Sequence, residues 1–405
     1  MSGFARMLTG IVAVALAVRV AYAFVVAPDI AFLDDDTYYH VTANALADGH
    51  GYVRPIELIQ GRELPSAEHP PLYSGLLAVV SLLGGTSVDA HRSVGIVAGT
   101  LTVLLVALVA RRLAGDRAAL AAAAVAALFP AFVAADGSLM SEPLLGTLMA
   151  GTLLVALRAR ERPTIRTLIA LGALVALCGL ARTEALLLLP LLVAAVVWRA
   201  PDRRLALGAV SAVAALLVLA PWVVRNWSTF DRPLISTNDG TTLAGGNCDR
   251  TYHGDDLGWF VFACALEPRD ATGDEAERSA RLRERGLDYI GEHKGRAVVV
   301  AGVRVLGLWG LFRPARHNVV TGRDVTVQKL GVIAFYPIAL LALLGLWRIR
   351  RTPHLAIMLA PLLAATLAAA VTYGGPRLRH GADVAVVALA GAGVATLVER
   401  RVRAA

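Results

Sequence analysis

Apolar residues along this chain gather into long blocks separated by short polar stretches, with almost no strict two-residue alternation. The blocks fall at Met7–Ala27, 71–84, 90–110, 118–135, 143–157, 165–181, 185–198, 205–224, 297–312, 330–347, 355–373 and 382–398. At about 1.5 Å rise per residue, a block of roughly 20 residues matches a hydrocarbon core of about 30 Å. The pattern predicts an all-α polytopic membrane protein.

Composition agrees. Of 405 residues, 57% are apolar and 17% charged, where a soluble domain carries roughly a quarter charged. The net charge of +8 is spread over short loops rather than one basic face, which is a topology signal and not a nucleic-acid-binding one. Met7–Ala27 lacks a cleavage site behind a short apolar core and reads as a retained first helix. No lipidation motif is evident.

Arginine-rich stretches assign the sides. "RRLAGDR" (111–117), "RARERPTIR" (158–166), "WRAPDRR" (198–204), "RIRRTPH" (348–354) and "ERRVRAA" (399–405) read as cytoplasmic. Parity then permits a single crossing between residues 28–69 and Arg111, and a single one between the 226–296 loop and Arg348. The Pro-led block 71–84 and block 297–312 are the pieces expected not to span, leaving ten crossings with both termini inside. The chain is expected to form one membrane domain over 1–405, with a first external loop at 28–69 and a large external loop at 226–296.

Polar clusters outside the arginine-rich loops therefore share the external side: 34–40, 68–69, 136–142, 182–184, 225–226, 236–256 and 377–383. "DDDTYYHVTANALADGHGY" (34–52) predicts a surface helix with its aspartates at the N-terminus, ending at Gly49 and Gly51. Capping through unsatisfied N–H groups and the helix dipole explains one or two of those carboxylates. It does not explain Asp34, Asp35 and Asp36 together beside Tyr38 and Tyr39. "SAEHPPLY" adds Glu68 and His69, and "SLMSEPLL" adds Glu142, for which Pro143 in a first helical turn is the plain structural reading. Arg182 and Glu184 in "LARTEALLLLP" are pinched between two apolar runs, where charges are costly unless paired or functional. Arg225 and Asn226 end another apolar run, where snorkelling is the plain reading. Arg377, Arg379 and His380 in "YGGPRLRHGAD" break the positive-inside trend, and arginine forks suit phosphate oxygens.

The large loop reads as turns in its first half and as a charged amphipathic helix over "DEAERSARLRERGLDYIGEH" (274–293). Cys248 and Cys264, with 15 residues between them, suit a disulfide in an oxidising exterior, worth about 3 kcal/mol on a chain-entropy account. No CxxC spacing points to zinc. Cys178 sits in an apolar run as packing.

The ordered motifs "DDDTYYH", "LADGHGY", "HPPLY", "SEPLL", "ARTEALLLLP", "RNW" and "YGGPRLRHGAD" resemble those of bacterial GT-C superfamily membrane glycosyltransferases. Within that superfamily they are similar to the branch of protein O-mannosyltransferases and the lipid A aminoarabinose transferase, the family-39-like enzymes. The resemblance implies a GT-C transmembrane helix bundle with external amphipathic helices. It also implies a polyprenyl-phosphate sugar donor in the lipid bilayer, an acceptor hydroxyl on protein or on cell-envelope glycan or lipid, and inverting transfer outside the membrane. Asp35 is the expected catalytic residue, with Asp36 next in register. Arg377, Arg379 and Arg225 would hold the donor phosphate. Tyr39, His69, Glu142, Arg182 and Glu184 would orient acceptor or sugar. No metal is required by the resemblance, although Asp34, Asp35 and Asp36 are a conceivable Mg²⁺ or Mn²⁺ set. The alternative is a transporter or flippase of lipid-linked glycans. Transporters carry their ionisable residues near the bilayer midplane, whereas the interiors of these blocks are nearly uncharged and the polar residues sit at external ends.

Overall fold

The computed structural model describes residues 2–30, 34–198, 200–266, 272–314 and 322–404. Helices dominate, and among the described residues the β structure amounts to one isolated bridge between Val53 and Pro65. Among the described residues, six helices are long and apolar enough to cross a membrane: Gly3–Val26, Val88–Leu128, Glu142–Glu161, Pro201–Phe230, Val325–Ile349 and Pro376–Val402. Four more apolar helices are shorter: Pro71–Leu82, Ile165–Ala181, Thr183–Val197 and Leu355–Val371. The chain is an all-α membrane protein.

Local chemistry sets most of the boundaries. Ser87 accepts the Ala90 N–H at the start of Val88–Leu128, and Asp324 accepts the Val327 N–H at the start of Val325–Ile349. Thr164 and Asp274 each form reciprocal capping boxes. The Asp274 box opens Glu275–Glu292, which is the charged helix read from the sequence.

Blocks 90–110 and 118–135 are arranged differently from the expectation. The first runs straight into the second through a bend at Ala114 and Gly115, where Gly115 takes φ +80°, open to glycine at little cost. Arg111 and Asp116 close that bend with a 2.6 Å ion pair. The second block is then cut at Phe129, because Pro130 has no N–H to continue it, and Pro130–Asp136 forms a separate short helix. The large loop also departs from its reading. Its Gly- and Asn-rich first half contains the helix Asn238–Gly246, not turns alone. Packing overrides composition there: a Cβ on Gly240 would collide with the Ser279 backbone, and one on Gly286 would come 2.8 Å from Leu243. The glycines let two helices touch.

Helix His380–Ala404 is the buried centre, packed against Val88–Leu128 and Val325–Ile349. Lipid tails are as apolar as leucine, so such helices associate through close packing of small residues. Gly391 lies against Ala118 and Ala122, Gly393 against Leu341, and Gly345 against Leu389, each too close for a side chain. Large apolar residues such as Leu205, Leu217 and Leu340 face outward. An ion pair is embedded as well: Arg19 meets Asp136 at 2.7 Å and donates to the carbonyls of Ala15, Ala126 and Ala127. The Asp136 of one polar cluster is thereby spent on structure.

Helix Glu142–Glu161 has 20 residues, which is about 30 Å of rise. At its far end Glu161 meets Arg112 at 3.2 Å and His354 at 3.9 Å. Three arginine-rich loops thus share one end of the bundle, and Glu142 marks the other.

Replacing Gly345 by Val should strain the Leu389 contact and cost about 1–3 kcal/mol, seen as a lower melting temperature in detergent. Gly10→Val, at a position with open space, is the control, and equal losses in the two variants would refute the close-packing account.

Candidate active site

The helix Asp35–Ala47 begins at the aspartate triplet, and helical geometry sends the three side chains to different places. Asp34 stands at the N-cap position without a side-chain capping bond. Asp36 is fully buried, its Oδ1 accepting the Thr37 N–H at 2.7 Å. Asp35 is 27% exposed and is held from two sides. Arg377 Nη2 donates to its Oδ2 at 2.6 Å, and His69 Nε2 lies 3.3 Å from its Oδ1.

His69 arrives on a stiff support. Residues 52–54 and 64–66 pair through Arg54 N–H to Leu64 O and Ser66 N–H to Tyr52 O. Pro70 and Pro71 then launch the next helix, fixing φ on both sides of a turn. The imidazole packs among rings, 4.7 Å from Tyr38 and 5.0 Å from Tyr39 between centroids. Tyr39 donates to Ser141 Oγ at 3.3 Å, which brings the helix start at Glu142 alongside.

Glu142 is 0% exposed and is the hub. Its Oε1 receives Arg377 Nε, Arg182 Nη1 at 3.2 Å and the approach of Arg323 Nη2 at 3.4 Å. Arg182 also donates to Glu184 at 2.7 Å, and Arg323 to Ser138 Oγ at 3.3 Å. Glu142 Oε2 has no hydrogen-bond partner among the described residues. Three guanidinium groups thus face three carboxylates (Asp35, Glu142 and Glu184), and protonation of His69 tips the cluster positive.

Burial opposes ionisation of Asp35, but Arg377 and then His69 hold its carboxyl well below the usual carboxylate range. Burial also opposes protonation of His69, yet the Asp35 carboxylate beside it keeps the imidazole above its ordinary value. Burial pushes the Tyr39 phenol up, so it stays a neutral donor. The arrangement joins an ionised carboxylate to a bank of cations at the rim of apolar helices.

Residues 68–227 match the family model for dolichyl-phosphate-mannose-protein mannosyltransferase. No curated protein matches the chain. Among solved structures, the apo oligosaccharyltransferase of Archaeoglobus fulgidus aligns with TM-score 0.59 at 16% identity, over 98% of this chain and 51% of that one. The same archaeal enzyme, AglB, in complex with an inhibitory peptide and a dolichol-phosphate gives 0.56 at 15% identity, over 99% and 51%. ArnT from Cupriavidus metallidurans bound to undecaprenyl phosphate gives 0.46 at 16%, over 96% and 77%. The chain carries the GT-C fold. It spans about half the length of the oligosaccharyltransferase it matches.

The matched stretch contains His69, Glu142, Arg182 and Glu184, while Asp35 and Arg377 lie outside it and are brought in by the GT-C fold. Asp35, His69, Tyr39, Glu142, Arg182, Glu184 and Arg377 form one connected cluster. Three other residues singled out from the sequence sit differently. Arg379 is buried, bonded to Asp383 at 2.8 Å and to Leu308 O at 2.9 Å, with its guanidinium 3.3 Å from the Phe335 ring centre. Arg225 donates to the carbonyls of Ser66 and Tyr52 and lies over Trp222, so it braces the support under His69. Asp36 is buried, its Oδ1 on the Thr37 N–H and its Oδ2 beside Gly322.

As a cation site, the triplet presents no converging set of oxygens. The described residues hold no group of three or more His, Cys, Asp or Glu side chains placed for a metal, and both Asp35 oxygens meet other side chains. Cys248 and Cys264 are joined in a disulfide, and Cys178 is buried. Arg323 is the residue the sequence reading missed. Its signal was the same as that of Arg377, an arginine beside an apolar block on the side where arginines are scarce.

The His69–Asp35 contact gives stability a pH window. His69 is raised in the folded state, so its contribution is complete below the unfolded value and fades as pH rises through the folded one. Asp35 is lowered, so its contribution is complete above the unfolded value and fades as pH falls through the folded one. The melting-temperature difference between wild type and His69→Gln should therefore be largest between about pH 4 and 6.5 and shrink above that. A pH-independent difference would show that the pair does not titrate as a pair.

Proposed function

We propose that the protein transfers a sugar from a polyprenyl-phosphate donor to an acceptor hydroxyl on the external side of the membrane, with inversion. The observation that carries this reading is the grip on Asp35, a partly buried carboxylate shared between Arg377 and His69 at the rim of lipid-facing helices. The family-model match and the GT-C fold support it, as does AglB, a structure of the same fold solved with a dolichol-phosphate. The positive-inside pattern of the loops supports an external site.

In this mechanism the acceptor oxygen attacks the anomeric carbon while the bond from that carbon to the phosphate oxygen breaks. The acceptor proton passes to Asp35 and the polyprenyl phosphate leaves. Single displacement inverts the configuration. Arg377, with Arg182 and Arg323 behind it, meets the charge growing on the leaving phosphate. Arg377 also links the two events. A phosphate that draws its fork away from Asp35 leaves that carboxylate a stronger base, closer to what proton transfer needs. Donor binding thus prepares its own base, and Asp35 stays quenched without a donor. Glu142 Oε2, buried without a partner among the described residues, suits a sugar hydroxyl.

Purified protein in liposomes, given radiolabelled polyprenyl-phosphate sugars and a membrane acceptor extract, tests the reading. Asp35→Asn should lose at least about 100-fold in transfer while still binding donor. Equal transfer by both proteins refutes the role of Asp35. Movement of donor between leaflets without transfer replaces the reading with a flippase.

A further inference from the structure

The segment that carries His69 is bonded by a residue far away in the chain, and nothing in the chemistry above uses that residue. Glu275 is the first residue of the helix Glu275–Glu292 in the large loop, with a side chain only 11% exposed. Its Oε1 accepts the backbone N–H of Ala67 at 2.8 Å and the hydroxyl of Thr237. Its Oε2 accepts Arg54 Nε at 3.1 Å. Two further bonds close the same seam: Thr237 N–H to Ala67 O at 2.9 Å, and Ser236 Oγ to Glu68 O.

A surface helix capped only for its own stability has no need of this. The capping box at its start is complete without Glu275, being made by Asp274 and Glu277. Glu275 spends both oxygens on residues of two other segments, and Ala67 is two residues from His69. A nearly buried carboxylate with three donors in fixed directions is a rigid connector, since losing any one leaves a costly unpaired group.

We propose that Glu275 is a positioning residue for His69, docking the large loop against residues 66–69 so that the imidazole stays on Asp35. The inference rests on the proposed function for its catalytic meaning, but its structural part stands apart from it. Through Ala67 the loop sets where His69 sits, and through His69 it sets how Asp35 is shared with Arg377. Whatever acceptor lands on the large loop then acts on the base through one side chain.

The test uses the full chain in detergent with labelled histidine, following the His69 titration by NMR, together with transfer kinetics. Glu275→Gln keeps the shape and removes the charge on Arg54; Thr237→Val removes one bond and leaves the carboxylate. Glu277→Ala loosens the same helix start without touching Ala67 and is the control. Both Glu275→Gln and Thr237→Val should move the His69 titration down toward an ordinary histidine and cut kcat about tenfold to a hundredfold, with donor KM changed less than about twofold. Glu277→Ala should leave the titration and kcat in place. If Glu275→Gln lowers only the melting temperature, as far as Glu277→Ala does, and the titration stays put, Glu275 is a staple of the fold and the proposal falls. If the titration moves but no variant, wild type included, transfers sugar, the positioning holds and the functional reading is what fails.

Discussion

A single buried carboxylate organises this molecule. Glu142 sits at the first turn of a membrane-length helix and collects guanidinium groups from Arg182, Arg323 and Arg377, on three otherwise separate segments. Removing charges from water is expensive, and mutual attraction offsets the cost only where geometry and extra hydrogen bonds are good. Here Arg182 has Glu184, Arg323 has Ser138 and Arg377 has Asp35 as further partners. Removing any one member leaves the others buried and unbalanced. The cluster therefore ties together helix ends that lipid-facing packing alone would leave free to slide.

That arrangement also explains why the aspartate triplet is divided. Asp35 is the member that meets Arg377, and its neighbours point elsewhere because successive helical positions differ by about 100° in direction, as the 3.6-residue turn requires. Asp36 is absorbed by the protein and Asp34 begins the helix.

Support for the site comes from outside the membrane-length helices. Arg225 braces the 52–66 pairing, Glu275 fixes Ala67, and Arg304 ties the large loop to the end of Leu355–Val371 through Gly246 O, Ala370 O and Val371 O. The large loop thus grips the two sides of the cluster, near His69 and near Arg377. Its disulfide closes it between Cys248 and Cys264. Such a loop is a structural part of the site and not an appendage.

The sequence by itself determined the apolar blocks, the charged helix within 274–293 and the sharing of one end by the arginine-rich loops, because apolar length, amphipathic pattern and charge bias are local properties. It also singled out Asp35, His69, Glu142, Arg182 and Arg377, because charged residues at the ends of apolar runs demand partners. Only the tertiary structure decided which partners those were. Arg379 and Arg377 look alike in sequence, two residues apart, yet one braces Phe335 and Asp383 while the other reaches Asp35. Direction around a short helical turn separates them, and that depends on what packs on each side. Glu275 left no local sign for the same reason, and Arg323 left only that of an arginine beside an apolar block. Their partners lie more than 150 residues away in the chain, at Glu142 and Ala67, and no local pattern carries a contact of that range.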